Sequence, residues 1–182
     1  KQVTLTPVAK LTAGELERMR ALALEGMRDG AFGLSTGLFY VPATFSKTDE
    51  VVELAKVVGA SGGIHISHMR DEELGVEDSV RETIAIGEQG GLPTQVTHHK
   101  TIGKTSWGKT VDTLRQIDEA RQRGVDVTLD VYPYTASATS ISAALMPVWA
   151  QEGSRDDILK RLRDPATRRR ILVATIRILL EG

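Results

Sequence analysis

Four histidines, His65, His68, His98 and His99, are the residues most able to do chemistry in this sequence. Three of them fall at or next to the C-terminal end of a predicted strand. Parallel α/β folds gather reactive groups at that edge, because the strands fix positions while the loops stay free. His68 and His98 occupy equivalent points of consecutive predicted units. Adjacent strands lie about 4.8 Å apart, so imidazoles from two such ends can meet one zinc at about 2.0–2.1 Å each. We therefore assign His68 and His98 as metal ligands. His65 lies three residues before His68, faces the other side of its strand, and is expected to serve packing or the surface. His99 follows His98 and is expected to be structural or to support a ligand.

The neighbouring polar residues widen the chemistry. Arg70 and Lys100 can each bind a substrate carboxylate, Arg as a fork and Lys as a point charge. Arg70 can equally pair with Asp71 or Glu72. Lys100 stands two residues beyond a candidate ligand, before the glycine-containing loop Thr101-Ile102-Gly103-Lys104. Tyr132 leaves its strand on the side of Asp130 by period two. It can donate to a carboxylate or plug the strand ends. Asp130 can be a ligand, a general base or a structural anchor. Gly103 to Thr110 satisfies G-x-x-x-x-G-K-[ST], but its first glycine does not follow a strand directly and Trp107 sits inside it. An ordinary strand-to-helix loop is expected there.

These residues must be carried by alternating elements. Thr12 and Glu15 form a capping box before a helix with Leu16, Met19, Ala23 and Met27 at helical spacing, stopped by Gly30. Strands are expected at 31–36, 64–68, 93–98 and 125–131, with helices over 48–58, 77–89 and 110–123 between them. Positions 36, 68, 98 and 130 are separated by 32, 30 and 32 residues. One strand and one helix per period of about 30 residues is the βα unit of a parallel sheet. Such units build either an open doubly wound sheet or a (βα)₈ barrel, and a barrel needs about 250 residues. The 182 residues here fill about half of one. The chain opens on Lys1 rather than methionine, and is expected to begin inside a longer reading frame. Residues 135–182 read as mainly helical, with a capping box at Ser154 to Asp157 and Asp164 capping a helix that opens on Pro165. Two regions are thus expected: 1–134, a partial βα domain, and 135–182, a helical insertion near the site.

Composition removes several function classes. Lys plus Arg total 23 against 24 Asp plus Glu, so no basic field points to nucleic acid. The absence of cysteine excludes a disulfide scaffold and a thiolate nucleophile within this chain. Apolar runs are far short of the ~20 residues a membrane helix needs. Lys1 to Leu5 hold no signal-peptide apolar region. No membrane association is expected, and a cytoplasmic setting is.

Taken in order, Gly30-Ala31-Phe32-Gly33-Leu34-Ser35-Thr36-Gly37-Leu38, His68-Met69-Arg70-Asp71-Glu72, His98-His99-Lys100 and Tyr132-Pro133-Tyr134 resemble the N-acyl-D-amino-acid deacylases (D-aminoacylases) of the amidohydrolase superfamily. The resemblance spans roughly residues 12–139. It implies strands four to seven of a metal-dependent (βα)₈ barrel. It implies zinc held by His68 and His98, with Lys100 and Tyr132 at the carboxylate of an N-acyl amino acid. It further implies a His-x-His pair, a cysteine ligand and a strand-eight aspartate base, none of which this sequence offers. The expected activity is C–N hydrolysis by a longer protein. The isolated chain is expected to be a poor catalyst, and to self-associate or pair with the remainder of the barrel. A non-catalytic α/β module binding metal or an anion is the alternative, and a nucleotide-binding sheet resting on Gly103 to Thr110 is a third.

Overall fold

The structure, a computed structural model, describes residues 11–181. The reading of Lys1 to Leu5 lies outside the described residues. Helix α1 (Ala13–Arg28) begins at Thr12, whose side chain accepts from Glu15 N–H while the Glu15 carboxylate reaches back, the expected capping box. Then follow β1 (Gly33–Gly37), α2 (Thr48–Ala60), β2 (Ile64–His68), α3 (Val76–Gly90), β3 (Thr94–Val96), α4 (Thr110–Gln122) and β4 (Val127–Leu129). Beyond residue 140 the chain is mainly helical: α5 (Ile141–Leu145), α6 (Arg155–Arg163) and α7 (Pro165–Glu181). Ser154 and Asp157 cap α6, and Asp164 accepts from Thr167 N–H at the start of α7.

All four strands are parallel, in the order β1-β2-β3-β4. Helices α1 to α4 pack in chain order, each against the next. One sheet face meets them. Val96 and Val127 join Met69, Val76, Val80, Ile84, Ile117 and Ala120 in one core. A second core unites Leu38 with Val51, Val52, Ala55 and Val58 of α2 and with Ile86 and Leu92, and Leu34 packs against it. The opposite face carries Ile66, His68 and Gln95, with Ile64 43% exposed. A doubly wound sheet would cover that face with helices as well. The register is tight at Gly33, where a Cβ would come within 2.0 Å of Ile64 O.

In α4 the buried residues are Thr113, Ile117 and Ala120, while Val111 and Leu114 are exposed. One expectation is corrected. Strands β3 and β4 are shorter than 93–98 and 125–131. Thr97 N–H still bonds Ser67 O at 3.0 Å, the ladder to β4 is interrupted at His98, and among the described residues β4 pairs only with β3.

Candidate metal centre

His68 closes β2, and the turn after β3 carries His98. Their rings meet edge to face with centroids 4.4 Å apart. Glu72, in the segment after β2, brings a carboxylate to the same point and is 6% exposed. The donor atoms of His68, Glu72 and His98 lie within 4.8 Å of one another. Two imidazoles and a carboxylate are a donor set suited to zinc. Burial, with the positive neighbours His98 and Lys100 adding to it, lowers the His68 pKa to about 4. At neutral pH its ring is therefore uncharged and keeps a lone pair for a cation.

Glu72 is the participant that strand periodicity missed. It lies beyond β2, where no period applies. Its only sequence signal is a carboxylate four residues after a candidate ligand. Its oxygens take Lys100 Nζ at 2.6 Å and stand 2.9 Å from His98 Nδ1. Lys100 Nζ also lies 3.0 Å from His98 Nδ1 and 3.3 Å from His98 O. The ammonium sits 5.4 Å from the Tyr132 ring centroid, within cation–π range. Lys100 and Tyr132 thus adjoin the histidine pair.

Arg70 faces other partners. Its Nε and Nη2 donate to the two Glu82 carboxylate oxygens at 2.9 and 2.8 Å. Its Nη1 donates to Thr44 O at 2.8 Å and its Nη2 to Ser46 O at 3.0 Å. The expected partners Asp71 and Glu72 are not the ones it takes: a guanidinium fork matches a carboxylate in two parallel bonds, and Glu82 on α3 offers both oxygens. Asp71 instead turns to the N–H groups of Glu73 and Gly75. The side chain of Arg70 still lines the cavity, but most of its donors are committed.

His65 and His99 are both packing residues. His65 is fully buried, with Nε2 2.9 Å from Thr36 Oγ1 and Nδ1 2.7 Å from Thr94 Oγ1. Its pKa falls to about 4 because burial disfavours the charged ring. His99 Nε2 lies 2.8 Å from Thr113 Oγ1 on α4, and burial, then the nearby Lys100 charge, lowers its pKa as well. Asp130 is an anchor: one carboxylate oxygen accepts His98 N–H at 2.5 Å and the other accepts from Gln95 Nε2. The Gly103 to Thr110 segment forms a short 3₁₀ turn over Lys104–Ser106 and leaves Trp107 exposed. Lys109 spends its ammonium on Leu74 O at 2.7 Å. A phosphate cradle would need that lysine aimed inward.

A cavity of about 920 Å³ opens over the histidines. Phe39, Tyr40 and Tyr132 form its aromatic side, with Tyr40 4.7 Å from the His68 ring. Met146, Val148 and Ile178 reach it from the helical region beyond residue 135. Tyr40 Oη and Thr139 Oγ1 lie 3.1 Å apart, joining the loop after β1 to that region.

No family model matches the chain. Individual proteins do. Over 133 residues it is 42% identical to an N-acyl-D-glutamate deacylase of Alcaligenes xylosoxydans xylosoxydans, covering 73% of this chain and 27% of that protein. A D-aminoacylase of the same organism is 42% identical over 130 residues, covering 71% and 27%. Among solved structures, the N-acyl-D-glutamate deacylase of Bordetella bronchiseptica, complexed with zinc and a phosphonate mimic of the tetrahedral intermediate, superposes with a TM-score of 0.67 at 42% identity, over 69% of this chain and 27% of that one. A D-aminoacylase studied for its binuclear metal centre, activated by one metal and attenuated by a second, gives 0.70 at 34% identity, over 78% and 31%. The chain spans about 27% of the length of the curated relatives it matches.

Proposed function

Over 133 residues this chain belongs with the N-acyl-D-amino-acid deacylases of the amidohydrolase superfamily, and from that kinship we propose that it supplies part of the metal centre and substrate cavity of a zinc-dependent hydrolase that deacylates N-acyl-D-amino acids. The observation that carries the reading is the edge-to-face pair of His68 and His98 with Glu72 beside it, at the C-terminal edge of a parallel sheet. The sequential strand order and the single helix-covered face support four consecutive strands of a (βα)₈ barrel, with His68 and His98 following its fifth and sixth. The region beyond residue 135 serves as an insertion roofing the cavity.

Bound zinc would polarise the amide carbonyl and bring the pKa of a coordinated water down toward ~7. Holding the metal and placing the substrate fall to the chain's own residues. His68 and His98 hold the metal, uncharged His68 without competition from a proton at neutral pH. Lys100 and Tyr132 receive the substrate carboxylate. To do so, the Lys100 ammonium shares its hydrogen bonds between Glu72 and the incoming anion, and the extra negative charge would be offset by the bound cation. Arg70 holds the cavity wall by bracing Thr44 and Ser46. Phe39, Tyr40 and the apolar roof keep water from the far side of the substrate.

Zinc titration against a competing chromophoric chelator tests the reading. His68→Ala and His98→Ala are each expected to weaken binding by at least about 10-fold. Unchanged affinity in both variants would remove the metal centre, and the proposed function with it.

A further inference from the structure

Parallel ladders exchange backbone hydrogen bonds at every second residue. Between β3 and β4 that period is visible: Thr94 N–H bonds Asp126 O at 2.8 Å, and Asp130 N–H bonds Val96 O at 3.2 Å. The next bond should run from His98 N–H to Asp130 O. It runs instead from His99 N–H, at 2.8 Å. One residue has been inserted into the ladder, and the backbone marks it as His98. Its φ is +43°, the left-handed region, and no other described non-glycine residue has a positive φ. Such a conformation is costly away from glycine and persists only when its surroundings hold it.

The holding group is Asp130. Its Oδ1 takes the N–H that the insertion expelled from the ladder, at 2.5 Å. Gln95 Nε2 fixes the other carboxylate oxygen. A buried N–H left without a partner would cost about 1–3 kcal/mol.

The insertion decides which histidine enters the site. Thr94 and Val96 are buried on the helix-covered face. Strict alternation puts residue 98 on that face too, and residue 99 over the open face. The structure shows the reverse. His99 is buried against Thr113 of α4, and His98 meets the His68 ring. A bulge re-aims side chains in this way.

We propose that Asp130 is a positioning residue that selects His98 over His99 for the metal centre, by capturing the His98 amide and locking the bulge. Its consequence for metal rests on the proposed function; the bulge itself rests on backbone geometry alone. The test uses the whole chain and two readouts. In the metal-free protein, the His98 amide proton is followed by ¹H–¹⁵N NMR. Asp130→Ala is expected to move it strongly upfield and to speed its exchange with solvent. Asp130→Asn, which keeps an acceptor oxygen, is expected to leave it near the wild-type position. Zinc affinity should fall about 10–100-fold in Asp130→Ala, the usual size of a lost supporting contact, and largely return in Asp130→Asn. Should Asp130→Ala fail to fold, Asp130→Ser, whose hydroxyl falls short of the amide, reads the same quantities. An unmoved His98 amide in the Ala or Ser variant, or an Asn variant as impaired as Ala, overturns the proposal. If even the wild-type chain binds no zinc, the metal reading falls, and the amide comparison still decides what Asp130 does.

Discussion

His65 and His68 stand three residues apart on one strand, and both titrate near pH 4. They differ in what surrounds them. His65 is closed in by the hydroxyls of Thr36 and Thr94, so both ring nitrogens are satisfied and neither is offered outward. His68 opens on the cavity. The buried ring of His65 gives a clear pH dependence. Its pKa is about 4 in the folded chain and 6.5 when unfolded, so the unfolded state binds more protons between those values. Stability from this ring is complete above pH 6.5 and drains as the pH falls toward 4. The loss is on the order of 3 kcal/mol at most. Urea midpoints measured at several pH values should therefore fall more steeply for wild type than for His65→Gln, which has no proton to gain. His68 contributes to both slopes equally. Parallel curves would show that burial does not depress the His65 pKa.

Arg70 ties three elements together. Glu82 on α3 accepts two of its hydrogen bonds and also accepts from Thr48 Oγ1 at the start of α2. The carbonyls of Thr44 and Ser46 belong to the connection between β1 and α2, the same connection that carries Phe39 and Tyr40 to the cavity. Removing the guanidinium takes the cation from a carboxylate with 11% side-chain exposure and leaves it the Thr48 hydroxyl. Arg70→Ala is expected to cost about 1.5–3 kcal/mol by chemical denaturation, the range for a hydrogen bond to a charged group. Arg70→Lys should recover little, since a single ammonium cannot replace the fork. Zinc affinity should change little in either variant, because β2 holds His68 independently. A loss below about 0.5 kcal/mol would place Arg70 among ordinary surface ion pairs.

At the scale of the molecule, the sheet has two unpaired edges and one thinly covered face. Among the described residues, β1 pairs only with β2 and β4 only with β3. Free N–H and C=O groups along such edges template pairing with another chain. Ile64 on the bare face and Leu172, Leu179 and Leu180 on α7 are exposed as well. Self-association is therefore expected, with the scattering mass rising across a dilution series. A concentration-independent mass near 19.8 kDa with a cooperative melt would show instead that the four-stranded unit is self-sufficient.

Alternation of strand and helix, their order, and the capping of α1, α6 and α7 were all legible in the sequence, because each rests on local periods and on side chains three residues from their partners. So were His68, His98, Lys100 and Tyr132 as neighbours, since one period of the βα unit returns each to the same sheet edge. The partner of Arg70 was not legible: Glu82 is twelve residues away, and only the docking of α3 on the sheet brings it near. Glu72 gave almost no signal, lying after the strand where no period governs. The βα period assigns His98 rather than His99, whereas period two along β3 alone points to His99. What reconciles them is one inserted residue held by a carboxylate just beyond β4, which no local pattern reveals. Local sequence sets the elements, while contacts across the sheet decide which face each side chain finally meets.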